Sequence, residues 1–184
     1  MDNITKLAGT ADWWGEIPSA PTGLTEDRYV KSVEVIEVND VPSSGSGRET
    51  VGGRYIFHHM IWSTAQLDEN GDRVHETVTS WPVHEVGRNP DIFDPDGGRL
   101  LRAGTYIYSD SVHLHSNGLD TTGHLEIGFR FHPKDYEPKY QRAILGLGNG
   151  VDISIAGNQD KQELHAYRAL EEHTKIITFE PHLH

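Results

Sequence analysis

Between Arg28 and Phe131 the sequence consists of β-prone runs set off by clusters of Gly, Pro, Asn, Asp and Ser, a spacing that leaves room for strands and little else. "RYVKSVEVIEV" (28–38) alternates, with Val33 and Val35 on one face. After the loop "PSSGSGRE", "VGGRYIFHHMIWSTA" (51–65) reads as a second strand, and "ENGD" (69–72) contains the Asn-Gly pair that tight turns favour. Residues 75–104, dense in turn formers, read as loop. "GTYIYSDSVHLHSNG" and "GHLEIGFRFHP" predict two antiparallel strands joined around "NGLDTTG". Good helix formers gather only in "QDKQELHAYRALEEH" (159–173), where one helix is expected, and "TKIITFEPHLH" returns to strand character. The pattern predicts an all-β chain: an irregular Pro- and Gly-rich lead-in at 1–27, a jelly-roll-like β-sandwich at 28–145, and the start of a second, incomplete β-sandwich at 146–184.

Sixteen basic residues against 28 acidic ones give a formal charge of -12, which repels a phosphate backbone, so nucleic acid is not an expected partner. No apolar stretch approaches the roughly 20 residues of a spanning helix, and "MDNITKLAGTADWW" lacks the basic and apolar blocks of a signal peptide. With no cysteine there can be no disulfide, thiolate metal site, nucleophilic thiol or blue-copper centre.

Histidine is the compositional outlier: 12 occur, six of them as the pairs His58/His59, His113/His115 and His182/His184. Residues two apart on a strand share a face, so each His-x-His pair could supply two ligands. Neutral imidazole suits zinc, copper, iron and nickel, whereas hard cations want oxygen, so an all-histidine donor set points to a transition metal. Adjacent His58 and His59 would face opposite sides of a regular strand; to share an ion they need a bulge, a strand end or a reversed ring. His75, His84, His132, His165 and His173 stand alone and read as surface or satisfied polar residues.

Other metal motifs fail on spacing. Eight residues separate Gly104 from His113 and ten separate His115 from Glu126, which does not fit a cupin. An EF-hand beginning at Asp68 would place Arg73 where glycine is required, and no His-Glu-x-x-His, Gly-x-Ser-x-Gly or phosphate-binding glycine loop occurs.

The ordered set His58-His59-Met60, "VHLHSNG" and "FEPHLH" resembles the copper type II, ascorbate-dependent monooxygenases, the family of peptidylglycine alpha-hydroxylating monooxygenase and dopamine beta-monooxygenase. The likeness spans roughly residues 28–184 and is greatest to the bacterial branch, since the animal hydroxylases are rich in disulfides. It implies two successive jelly-roll sandwiches, each carrying one copper. His58 and His59 would bind the first ion together with His113, with His115 as the alternate third ligand. His182 and His184 would bind the second, whose methionine ligand lies farther along; Met60 belongs to the first motif and is not that methionine. The chain is accordingly expected to be the first part of a longer protein, inactive alone. The implied activity is hydroxylation of a C–H bond of a small organic substrate, with O2 as oxidant and ascorbate or a similar reductant as electron donor. Glu126 or Asp110 could orient the ligand imidazoles. An extracytoplasmic location is also implied. Two other readings stay open: a non-catalytic copper-binding sandwich for storage, sensing or electron transfer, and a β-sandwich interaction module with solvated histidines.

Overall fold

The computed structural model describes residues 2–42, 51–88, 90–148 and 156–181. Its strands are β1 (Ile4–Lys6), β2 (Trp13–Gly15), β3 (Ala20–Pro21), β4 (Arg28–Asn39), β5 (Phe57–Ala65), β6 (Thr79–Ser80), β7 (His84–Glu85), β8 (Asp91–Ile92), β9 (Arg99–Leu101), β10 (Tyr106–Leu114) and β11 (Thr121–Phe131). One antiparallel sheet has the order β1-β11-β4-β8, with β9 also on β4; the other runs β2-β10-β5-β6, with β3 also on β10 and β7 also on β5. All of these strands lie in the compact unit Met1–Arg142, and the arrangement is a β-sandwich.

The core is where the apolar faces of the long strands meet. Val30 and Val33 of β4 and Leu125 of β11 join Phe57, Met60 and Trp62 of β5 and Val112 and Leu114 of β10. Met60 is fully buried in this cluster. Two indoles are tied down as well as buried: Trp62 Nε1–H donates to the Pro82 carbonyl at 2.8 Å and Trp81 Nε1–H to Thr64 Oγ1 at 3.0 Å. The Arg99 guanidinium lies over the rings of Trp81 and Phe93, and burial lowers its pKa to about 10.

Several expectations are corrected. Residues 1–27 are not an irregular lead-in: β1 pairs with β11, β2 and β3 pair with β10, and Ile17 enters the core. These strands are two or three residues long, too short for periodicity to reveal them. The run 75–104 contains β6 to β9 for the same reason. The strands β10 and β11 do not form a hairpin; they sit in different sheets, and the connection through "NGLDTTG" crosses between them. Asn117 holds that crossing, accepting from the Leu119 amide at 3.0 Å and donating to Thr121 Oγ1 at 2.9 Å.

The remaining chain, Ala143–His184, is a separate unit. Its described residues carry neither strand nor helix, so the helix expected at 159–173 and the strand expected from 174 are absent among them. Asn158 (φ 61°) and Lys161 (φ 56°) have left-handed backbone, which an α-helix excludes, and Leu164, Tyr167 and Leu170 are exposed, leaving no buried face to stabilise one. Of the second sandwich expected at 146–184, residues 149–155 and 182–184 lie outside the described residues, and 146–148 and 156–181 carry no strand.

One polar network fixes where β5 begins. Glu37, pointing inward from β4, accepts from the amides of Ile56 (3.0 Å) and Phe57 (2.9 Å). Asn39 Nδ2 donates to Glu37 at 2.6 Å, and both Asn39 and Asn117 donate to the Arg54 carbonyl. Ile56 and Phe57 are buried, so Glu37→Ala leaves their donors without an acceptor, and urea unfolding should show a loss of about 1–3 kcal/mol.

Candidate metal centre

Pairing between β5 and β10 decides which side chains can meet. Met60 stands opposite Val112, and both are buried in the core. The next pair along, His59 opposite His113, therefore projects from the outer face of the same sheet. The register then slips: Leu114 stands opposite Phe57, so His58 is the extra residue of a β-bulge. This bulge resolves the problem posed by the adjacent histidines, turning His58 to the side that His59 occupies.

The result is one cluster of three imidazoles. Ring centroids are 4.8 Å apart for His58 and His113, 5.1 Å for His59 and His113, and 5.4 Å for His58 and His59. Donor nitrogens of the three lie within 4.8 Å of one another. Nitrogens bound to a tetrahedral ion ~2.0–2.1 Å away sit roughly 3.4 Å apart, so the rings would draw in by about an ångström around a metal. His59 and His113 are buried and His58 half-buried.

The third histidine arrives already oriented. His113 Nε2–H donates to Asp12 Oδ2 at 2.8 Å, which leaves Nδ1 as the nitrogen with the lone pair. That Nδ1 is buried and makes no hydrogen bond, and the Nδ1 atoms of His58 and His59 are likewise shielded from solvent. A buried lone pair on a ring packed beside two other imidazoles, with a carboxylate on its opposite nitrogen, is the arrangement found in metal-ligating histidines. The bond from His113 also holds the Asp12 carboxyl below its usual pKa, although Asp12 is solvent-facing. Trp14, the cross-strand neighbour of His113 on β2, stacks on the His113 ring at 3.9 Å and 7°, and meets His59 edge-on at 5.0 Å.

Among the sequence candidates, His58, His59 and His113 are thus brought together. His115 is not in the group of donor nitrogens: although its ring lies 5.2 Å from that of His58, it is 6.4 Å from that of His113, and its Nε2–H is committed to the Tyr55 carbonyl at 2.8 Å. His182 and His184 lie outside the described residues. The expected orienting carboxylates are elsewhere, Asp110 bonded to Arg73 and Glu126 on β11 of the opposite sheet, 3.4 Å from His124. Asp12 takes that part, and it and Trp14 were missed by sequence reasoning. The available signal was "TADWWG", an acid and an aromatic two apart, hence on one face of a strand. His84 and His132, expected as surface or satisfied polar residues, are buried, and His132 Nε2 has no hydrogen-bond partner among the described residues. A buried cluster of this kind could hold a metal ion.

No protein-family model, curated protein or solved structure matches this chain.

Two outcomes follow from the surroundings of the cluster. Removing the carboxylate by Asp12→Ala should weaken transition-metal affinity about 10–100-fold in a competition titration with a chromophoric chelator, because His113 loses its fixed tautomer. His84, opposite Met60, has its pKa lowered to about 4, chiefly by burial and then by Arg88. The unfolded chain binds this proton near pH 6.5 and the folded one only near 4, so His84 leaves stability intact above 6.5 and erodes it as pH falls towards 4. The loss approaches ~3 kcal/mol. Urea midpoints of the metal-free protein measured across this window should fall less steeply for His84→Leu.

Proposed function

We propose that the chain is a copper-binding β-sandwich, and that it supplies electrons within a copper-dependent monooxygenase acting on a C–H bond of a small organic substrate. The observation that carries the copper reading is the convergence of His58, His59 and His113, with His113 Nδ1 buried and its opposite nitrogen already committed to Asp12. The donor set fits the metal. Three neutral imidazoles without thiolate or carboxylate accommodate both Cu(I) and Cu(II), and copper(II) heads the affinity order for nitrogen sites. Bound there, copper would supply one-electron storage. The protein's own part is to hold the three rings together and keep His113 in the tautomer that presents Nδ1. The formal charge of -12 favours the approach of cations to the molecule.

The monooxygenase reading is supported by the order of the three histidine motifs along the chain. It assigns His182 and His184 to a second ion, and O2, a small organic substrate and a reductant such as ascorbate as co-reactants. A second reading, copper binding for electron transfer or storage without hydroxylation, is favoured by the placement of the entire three-histidine cluster within the unit Met1–Arg142.

Copper titration followed by electron paramagnetic resonance separates these. One tight equivalent is expected, reducible by ascorbate, and lost in both His58→Ala and His113→Ala while far-ultraviolet circular dichroism is unchanged. Equal binding in both variants, or preference for zinc over copper, would refute the copper reading. A second equivalent, lost in His182→Ala and His184→Ala, is expected from the monooxygenase reading; its absence would leave the single-site reading.

A further inference from the structure

Across the outer face of the β2-β10-β5-β7 ribbon, Trp14, His113, His59 and Glu85 stand in one cross-strand row. Side chains so placed touch directly, and here the contact is between π systems: indole and His113 imidazole are within 7° of parallel at 3.9 Å. The two buried histidines of the cluster are 3% and 5% exposed, whereas Trp14, in contact with both, is 53% exposed. An indole recruited only to exclude water would be expected to bury most of its surface. This one has one face against the His113 imidazole and more than half its surface in solvent. It is a continuous aromatic route from solvent to the site.

We propose that Trp14 is the port through which electrons reach the three-histidine site from a small one-electron reductant in solution; this rests on the copper reading above. The reductant, an ene-diol such as ascorbate, gives up one electron and releases a proton to solvent. The electron crosses the stacked indole and imidazole, and copper(II) becomes copper(I). No covalent bond to Trp14 forms or breaks. Electronic coupling falls steeply with distance, and a van der Waals stack on a ligand ring keeps the path from solvent short while offering a docking molecule a broad aromatic face. The competing route is direct approach to the half-buried edge of His58.

The test compares Trp14→Phe, which keeps a stacked ring, with Trp14→Leu, which keeps an apolar cover without π contact. Copper affinity and the paramagnetic signature are measured on both, and reduction by ascorbate is followed anaerobically by stopped flow. Retained copper in both, near-native reduction for Trp14→Phe and reduction slowed about tenfold for Trp14→Leu are expected. Copper should also quench a tryptophan emission component that Trp14→Phe lacks. A native rate in Trp14→Leu with tight copper retained would overturn the port and place the route at His58. Loss of copper from Trp14→Leu alone would make Trp14 a packing residue and overturn it too. Absence of tight copper in the unmodified protein would instead refute the reading on which the port depends.

Discussion

Register between β5 and β10 is the constraint on which the site depends. Because Met60 and Val112 must share the core, His59 and His113 must share the opposite face, and a shift of one residue would exchange them. The bulge at His58 then adds a third donor without disturbing the core. Hydrophobic burial on one side of the sheet thereby sets the geometry of polar ligands on the other. Glu37 and its amide partners hold the start of β5 at the end of the strand where this slip occurs.

The amino-terminal segment completes the arrangement. It adds β1 to one sheet and β2 and β3 to the other, so its first fifteen residues touch both layers. Lys6 is buried and donates to the Ala11 carbonyl, bracing the turn that presents Asp12 to His113. A segment that reads as an irregular lead-in by composition is therefore part of the site's architecture, supplying the carboxylate and the stacked ring.

Legibility in the sequence tracked the length of each element. The period-two placement of Val33 and Val35 in 28–38 announced β4, and both do face the core, although beyond them the pattern inverts, with Ile36 and Val38 exposed and Glu37 turned inward. The histidine doublet, through its conflict with period-two geometry, called for a bulge, a strand end or a reversed ring, and of these a bulge is present. Pairing partners were harder: β10 and β11 were legible as strands, but nothing local says that the link between them changes sheets. Short strands such as β2 carry too few residues to show a period, which hid Asp12 and Trp14. In 159–173 local propensity pointed the other way, towards a helix, and without an apolar face to bury it did not prevail.

The separation of the histidines along the chain has a kinetic side. His59 and His113 become neighbours only when two strands distant in sequence have paired in register, and closing such a loop is among the slower events of folding. A nascent chain offers the doublet alone, with one ring on each side of an unformed strand. The three-histidine surface thus exists only where that pairing exists, and an ion that binds the folded form and not the unfolded chain would favour the folded form by mass action.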